Sequence, residues 1–311
     1  MAYDLRTINA AIRSDPKGFL EECDAEYQRK IDAAAEAVLS NLHRSPLVLL
    51  SGPSGSGKTT TAMKLDDALE KRGVVTHAIA MDNYFLTVSP ETTPRTADGS
   101  YDFESPLCMD MDLLNEHFLA LSEGREIHIP RYDFPRQMRD GGSVTPLRLG
   151  KNEVAVFEGI HALNDDIAGR HPEASKLYIS ARSNITDGER LVFKGTWMRL
   201  TRRAVRDLNF RGTDALTTLS RWANVRRGEK LYISPFKHRA GIVIDSSLPY
   251  EASVMKHYAV PLFESIPEEN PRRKELLDMI EAFGELEGID PSLVHPDSLL
   301  REFIGGGTYS Y

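Results

Sequence analysis

The sequence predicts an α/β fold in which helices cover both faces of a parallel sheet, giving three layers. Short apolar segments alternate with helical patterns from residue 46 onward, which is typical of parallel strands joined by helices. The first of these segments, Leu47–Ser51, runs into a glycine-rich stretch that opens a helical pattern. With 311 residues, the chain is long enough to bury a large core in one large domain or two smaller ones.

The individual elements can be placed in order along the chain. Residues 1–43 have apolar side chains at helix spacing, and Asp15 followed by Pro16 is typical of a helix start. Strands are predicted at residues 47–51, 76–81, 126–130, 154–157, 176–180 and 241–245. Helices are predicted at residues 59–71, 110–122, 196–210, 250–256, 272–283 and 292–303, and long loops at 83–110 and 131–144.

This order divides the chain into three parts. Residues 1–43 are predicted to form an N-terminal helical segment and residues 44–265 the core, with a lid at about 182–230. Residues 266–311 are predicted to form a C-terminal helical extension. Since ligands of parallel sheets bind beyond the carboxyl ends of the strands, we expect the functional residues there.

The glycine-rich stretch at residues 52–60 fits the pattern G-x-x-x-x-G-K-[ST], which is the phosphate-binding P-loop. Its glycines allow successive N–H groups to point at one anion, and the following helix adds its positive N-terminal end. Lys58 is expected to reach the β- and γ-phosphates of a nucleoside triphosphate, and the Thr59 hydroxyl to ligate Mg²⁺. The predicted nucleotide-binding residues of this loop are Gly52, Ser54, Gly55, Ser56, Gly57, Lys58, Thr59 and Thr60.

Two carboxylates follow other strands of the predicted sheet. Asp82 comes after the strand at 76–81, and Glu158 ends the strand at 154–157. Asp82 could accept a hydroxyl proton or hold Mg²⁺ through water, and Glu158 stands where an acidic residue of the Walker B type would contact Mg²⁺ or its water. The alternatives are a helix or turn cap for Asp82 and a solvated strand end for Glu158. We predict a Mg²⁺ site made of Thr59, Asp82 and Glu158.

A basic helix follows at residues 196–210. Its four arginines share one face by their spacing, and Arg211 stands at its end. Such a helix would act as a lid that closes cations over phosphates, whereas the alternative is a solvated face paired with acidic neighbours. The four arginines are Arg199, Arg202, Arg203 and Arg206.

The second loop contains aromatic and basic side chains. Tyr132 and Phe134 offer flat surfaces on which a nucleobase could stack, beside the donors Arg136 and Arg139. The alternative is that these rings only pack against the core.

Composition and charge exclude several classes of protein. The chain is 41% hydrophobic and 27% charged, which is ordinary for a globular protein, and its net charge of −8 argues against a general nucleic-acid binder. No apolar stretch approaches the roughly 20 residues of a membrane span, and no signal-peptide pattern opens the sequence. Cys23 and Cys108 lack C-x-x-C spacing, which favours a reducing compartment. We expect a cytoplasmic protein without nucleic-acid or membrane partners, and a homo-oligomer is possible.

Several motifs together point to one family. They stand at residues 52–60, 81–85, 101–106, 130–134, 157–160, 202–207 and 211–212. In this order they resemble the uridine kinase/phosphoribulokinase family of P-loop kinases. Sequences similar to residues 158–164, 225–229 and 300–306 occur in a bacterial uridine kinase-like branch of nucleoside kinases. The resemblance implies a nucleoside-kinase-like P-loop NTPase fold, with an arginine-rich lid helix and helical extensions at both ends.

The resemblance also implies an activity and roles for particular residues. The activity is the phosphorylation of a nucleoside 5′-hydroxyl, uridine- or cytidine-like, with ATP or GTP and Mg²⁺. Asp82 would be the catalytic base, with Lys58 and Arg206 as the other catalytic residues, and Thr59 and Glu158 would serve Mg²⁺. The implied acceptor-binding residues are Asp82, Glu104, Tyr132, Phe134, Gln137, Arg139 and Arg203, and Arg206 and Arg211 would be lid arginines over the triphosphate.

Three departures from the family pattern concern the acceptor. Gln137 stands where uridine and cytidine kinases have a histidine that recognises the pyrimidine, Thr213 replaces a frequent second arginine, and Glu104 replaces an aspartate. A sugar phosphate, a pantothenate-like acid or glycerate therefore stays open as the acceptor. A nucleotide-binding regulatory protein is a third, weaker reading.

Overall fold

The computed structural model describes residues 2–310. Its helices are α1 (Leu5–Ser14), α2 (Pro16–Asn41), α3 (Lys58–Glu70), α4 (Met111–Ser122), α5 (Asp165–Ala168), α6 (Gly195–Phe210), α7 (Ala215–Gly228), α8 (Glu251–Glu264), α9 (Arg273–Gly284) and α10 (Arg301–Ile304). Its strands are β1 (Ala2–Asp4), β2 (Leu47–Ser51), β3 (Val75–Ala80), β4 (Ile127–Asp133), β5 (Met138–Leu147), β6 (Glu153–Glu158), β7 (Ser175–Ser180), β8 (Asn184–Asp187), β9 (Arg190–Phe193) and β10 (Ile242–Asp245).

The central sheet has five parallel strands in the order β10-β7-β2-β6-β3. Strand β2 lies in the middle, and every one of its residues is buried. Alternate side chains of β2 belong to different apolar clusters: Val48 and Leu50 to one, Leu47 and Leu49 to the other. Because successive side chains of a strand point to opposite faces, the two clusters cover the two faces of the sheet. The predicted three-layer α/β fold is confirmed.

The helices at both ends of the chain pack against one face of this sheet. Ile31 of α2 and Phe283 of α9 are buried in the same apolar cluster as Val48 and Leu50. The Tyr250 hydroxyl lies 2.7 Å from an Asp24 carboxylate oxygen, so a polar contact also links α2 to the start of α8. The division into three parts stays a prediction, and its outermost residues, Met1 and Tyr311, lie outside the described residues. None of the helices within residues 2–310 is long and apolar enough to cross a membrane.

Three local predictions were wrong. Residues 131–144 are not a loop: they belong to an antiparallel hairpin of β4 and β5, with Gln137 in the left-handed region at its turn (φ 52°). Helix α7 was missed, although Asp214 caps it by accepting from the Thr217 N–H. The predicted helix at 292–303 is reduced to α10 and a short 3₁₀ turn, because Pro296 cannot continue a helix.

The residues predicted to begin the lid pair with the N-terminal strand β1. Strands β8 and β9 form a hairpin, and β1 joins it in parallel to make a small three-stranded sheet. Residues 184–193 are thus held to the N-terminal strand, and helices α6 and α7 follow them in the lid region. This pairing was not visible in the sequence because β1 has only three residues.

Candidate active site

The loop between β2 and α3 wraps tightly around the space in front of the helix. Gly55 and Gly57 adopt positive φ angles of 73° and 78°, which residues with a Cβ rarely adopt. A Cβ on Gly52 would lie 2.1 Å from the Ile179 carbonyl oxygen, and one on Gly55 would lie 2.8 Å from the Arg199 carbonyl oxygen. The backbone path therefore requires glycine at these positions, as a cradle of inward N–H groups does.

Polar groups in this loop fit a phosphate ligand. The Ser56 Oγ is buried and has no hydrogen-bond partner within residues 2–310. Gly57 stands at the N-cap of α3, where no side chain caps the first turn locally. A buried hydroxyl beside a helix N-terminus is an environment that an anion satisfies.

Lys58, Glu158 and Asp82 meet at the carboxyl edge of three neighbouring strands. Glu158 pairs with Leu50 on one side and Ala80 on the other, and Asp82 lies two residues beyond Ala80. The Lys58 Nζ is 3.7 Å from a Glu158 carboxylate oxygen. The predicted convergence of these strand ends is confirmed.

The electrostatics of the two carboxylates match a cation-binding crevice. Asp82 is accessible to solvent, yet the protein around its crevice displaces much of the water and raises the pKa of its carboxyl, against the lowering effect of Lys58 and Arg211. Burial likewise raises the pKa of Glu158, against the attraction of Lys58 and with the repulsion of Asp82. A divalent cation between the two carboxylates would stabilise their ionised forms and so lower both pKa values.

The donor set suits Mg²⁺ more than a closed metal cage. Within residues 2–310, no three His, Cys, Asp or Glu side chains converge on a metal position. Mg²⁺ typically takes one or two protein carboxylates and fills its other positions with water and phosphate oxygens. Thr59, Asp82 and Glu158 could hold it in that way, so the residues present fit the ion.

Three of the predicted arginines surround Asp207 on α6. Asp207 is almost fully buried, and its carboxylate oxygens lie 3.3 Å from Arg203, 2.8 Å from Arg206 and 3.9 Å from Arg211. The Arg203 Nη1 also donates to the Ser54 Oγ of the P-loop at 2.9 Å. One carboxylate cannot neutralise three guanidinium groups, so the cluster retains positive charge beside the P-loop. Asp207 is an organising residue that sequence reasoning did not single out.

The other two arginines of the predicted lid face do not point at a ligand. Arg199 is buried and donates to both carboxylate oxygens of Glu229, at 3.0 and 2.8 Å. Arg202 is fully buried and donates to Glu251 through Nη2 at 2.7 Å. The prediction that all four arginines meet an anionic ligand was wrong, because acidic residues distant in sequence neutralise these two.

A cavity of about 730 Å³ opens beside the arginine cluster. It is lined by the predicted acceptor residues Glu104, Tyr132, Phe134, Gln137 and Arg203. The Tyr132 and Phe134 ring centroids are 5.1 Å apart in an edge-to-face arrangement. The structure thus brings these five side chains to one space.

The structure places Arg139 outside the cavity lining. Its Nη1 lies 2.9 Å from the Asp110 carboxylate, its Nη2 donates to the Tyr84 carbonyl, and it does not line the cavity. Arg139 therefore fixes the β4–β5 hairpin against the start of α4, and its contact with the acceptor stays a prediction.

Helix α7 supplies cavity residues that sequence reasoning missed. Arg221 and Asn224 line the cavity, and Arg227 forms an ion pair with Asp102 at 2.6 Å. A Cβ on Gly228 would lie 2.3 Å from the Glu104 Cβ, so the glycine lets α7 pack directly against Glu104. The helix spacing of its buried residues, Ala215, Leu219, Trp222 and Val225, could have revealed α7 in the sequence.

Glu104 has an unusual electrostatic position. Burial raises the pKa of its carboxyl to about 7, although Arg203 and Lys58 act in the opposite direction. A carboxyl group with a pKa of about 7, beside cations, is well placed to accept hydrogen bonds from the hydroxyl groups of a ligand when it is ionised.

The sequence also matches a known protein family. Residues 47–251, which contain the whole central sheet, match the model of the Phosphoribulokinase / Uridine kinase family. The chain belongs to this family. Members of the phosphoribulokinase/uridine kinase family are phosphotransferases that act on hydroxyl groups.

Individual relatives agree with this membership. A uridine kinase of Schizosaccharomyces pombe is 31% identical over 173 residues. These residues are 56% of the chain described here and 34% of the yeast protein. A uridine kinase of Halobacterium salinarum is 29% identical over 196 residues, covering 63% of this chain and 77% of the relative. The chain thus spans about a third of the yeast protein.

A solved structure shows the same fold. It belongs to a candidate fructose transport system kinase from Silicibacter sp. TM1040. It has a TM-score of 0.51 at 18% identity and covers 69% of this chain and 98% of its own. At this identity the likeness concerns the fold of the family alone.

Proposed function

We propose that this family member transfers the γ-phosphoryl group of ATP or GTP to the 5′-hydroxyl of a nucleoside, uridine- or cytidine-like, with Mg²⁺. The observation that carries the proposal is the double role of Arg203. This side chain lines the cavity that contains Glu104 and the aromatic pair, and it also donates to Ser54 of the P-loop. A cavity suited to a flat, hydroxylated molecule therefore adjoins the phosphate cradle.

The residues of the chain divide the work of in-line transfer. Asp82 takes the proton of the acceptor hydroxyl, and Glu104 with Arg203 orients the sugar. Lys58, Arg206 and Arg211 stabilise the charge of the migrating phosphoryl group, and closure of α6 and α7 excludes water. When bound, Mg²⁺ would neutralise phosphate charge from Thr59, Glu158 and Asp82. The cytoplasmic location and a homo-oligomer stay predictions from the sequence.

The first test is ADP release from ATP–Mg²⁺ in the presence of nucleosides, pentoses, sugar phosphates, a pantothenate-like acid and glycerate. We expect uridine or cytidine to stimulate ADP release well above the blank. Stimulation by another acceptor would replace the nucleoside and keep the phosphotransferase. Hydrolysis that no acceptor stimulates would favour a regulatory NTP-binding protein.

One observation favours the second candidate, an anionic non-nucleoside acceptor. Arg95, Arg203 and Arg221 all line the same cavity, whose carboxylates are Asp102 and Glu104, so the guanidinium groups of the lining outnumber its carboxylates. A sugar phosphate, a pantothenate-like acid or glycerate would pair with them. Inhibition of uridine phosphorylation by inorganic phosphate, competitive against uridine and not against ATP, would indicate this class.

The pKa of Glu104 predicts a pH dependence for the acceptor. With a pKa of about 7, the carboxyl is ionised above neutrality and accepts hydrogen bonds from the sugar, whereas below neutrality it is protonated. The KM for the acceptor should therefore rise as the pH falls through about 7, while the KM for the nucleotide changes little. Glu104→Gln should give a raised acceptor KM without this pH step. A step of the same size in Glu104→Gln would assign the titration to another group.

A further inference from the structure

The C-terminal residues 299–305 pack directly on the P-loop, although the family match ends at residue 251. A Cβ on Gly57 would lie 2.7 Å from Leu299 Cδ1, so the leucine covers the last glycine of the loop. Phe303 is fully buried, with its ring centroid 5.0 Å from the Arg202 guanidinium carbon. This segment is therefore part of the wall around the nucleotide site.

Glu302 places a carboxylate on the first turn of α3. It is 5% exposed and accepts from the Thr60 Oγ1 at 2.6 Å and, at 3.3 Å, from the Thr60 N–H. Thr60 is the third residue of α3, whose N–H an N-cap side chain ordinarily binds. Because Gly57 at the N-cap has no side chain, Glu302 takes over this role from 242 positions away in the sequence.

The same turn is where the P-loop would bind phosphates. A helix N-terminus attracts one anion through its free N–H groups and its dipole. Glu302 already brings a carboxylate there, because it accepts hydrogen bonds from the Thr60 hydroxyl and N–H. A second anion at this turn would be repelled by the first in a buried, poorly screened environment.

We propose that residues 299–305 form an autoinhibitory strap, in which the Glu302 carboxylate competes with nucleotide phosphates for the first turn of α3. The strap rests on the proposed function, since it requires a nucleotide at the P-loop. Nucleotide binding then displaces Glu302 from Thr60. Polar contacts hold the flanks of the strap to α3, where Asp297 lies 3.7 Å from Lys64 and the Tyr309 hydroxyl lies 2.6 Å from Asp67.

The test is calorimetric titration of ADP and ATP, without and with Mg²⁺, into the full chain and into Glu302→Gln. The amide keeps an acceptor for the Thr60 hydroxyl and removes the charge. We expect Glu302→Gln to bind nucleotide about fivefold or more tightly, with the acceptor KM unchanged. Glu281→Gln is the control, since it removes one carboxylate charge from an exposed position on α9, outside residues 299–305, and should leave nucleotide affinity nearly unchanged.

The possible results distinguish failure of the strap from failure of the proposed function. If the wild-type chain binds nucleotide and Glu302→Gln binds it equally or more weakly, Glu302 supports the loop and the strap is wrong. If neither chain binds nucleotide, the proposed function fails and the strap fails with it. Hydrogen exchange on the wild-type chain gives a readout that does not depend on a variant: residues 299–305 should exchange faster with ADP bound, and slower exchange would overturn the strap.

Discussion

Asp82→Asn is expected to lower kcat by about 10²- to 10⁴-fold, the range typical for the loss of a general base. The asparagine keeps the size and shape of the side chain but cannot take the proton of the acceptor hydroxyl. Nucleotide affinity should stay nearly unchanged, because the P-loop and Lys58 hold the phosphates. The measurements are steady-state kinetics with the best acceptor of the panel and a separate titration with ATP.

The crevice around Asp82 sharpens this expectation. The surrounding protein raises the pKa of the carboxyl, which makes it a better proton acceptor than an ordinary aspartate, while Lys58 and Arg211 act in the opposite direction. Asp112→Asn provides the control, since Asp112 is exposed in the first turn of α4 and has no role assigned in the site. Equal loss of turnover and of ATP binding in Asp82→Asn would count against Asp82 as the catalytic base.

Arg202→Met is expected to lower the free energy of unfolding by about 3–5 kcal/mol, because it leaves the buried Glu251 carboxylate without its partner. Arg202 is fully buried, and besides Glu251 its Nη groups donate to the carbonyl oxygens of Ser246 at 2.9 Å and Gly55 at 3.2 Å. The substitution therefore also releases the P-loop backbone at Gly55. Urea unfolding followed by circular dichroism measures the change.

A surface ion pair provides the matched control. Arg190 lies 2.5 Å from Glu285 with its side chain 53% exposed, and Arg190→Met should cost about 1 kcal/mol or less. Adding Glu251→Gln to Arg202→Met should recover part of the lost stability, since it removes the uncompensated charge. A loss for Arg202→Met no larger than that for Arg190→Met would contradict a buried structural ion pair.

The local parts of the site could be predicted because their signals are contiguous in the sequence. The P-loop pattern at residues 52–60 depends on glycine conformations and a helix start that lie within nine residues. Asp82 and Glu158 could be placed together because parallel strands end at one edge of a sheet, and the register of β2, β6 and β3 confirms it.

The sequence could not show which arginines face the ligand. Spacing alone puts Arg199, Arg202, Arg203 and Arg206 on one face of a helix, but only folding brings two carboxylates against that face. Glu229 is 30 positions from Arg199 and Glu251 is 49 positions from Arg202. Burial of these pairs leaves the remaining arginines to the crevice.

The sequence by itself therefore determined the sheet, the phosphate cradle and the strand-end carboxylates, because these follow from the spacing of near neighbours. Tertiary structure alone decided three other features: the pairing partners of the arginines, the packing of Gly228 on Glu104, and the contact of Glu302 with Thr60. The physical reason is that a charged or polar side chain takes its partner from whatever the packed core brings within hydrogen-bond distance. That partner can lie 242 residues away, and no local pattern records it.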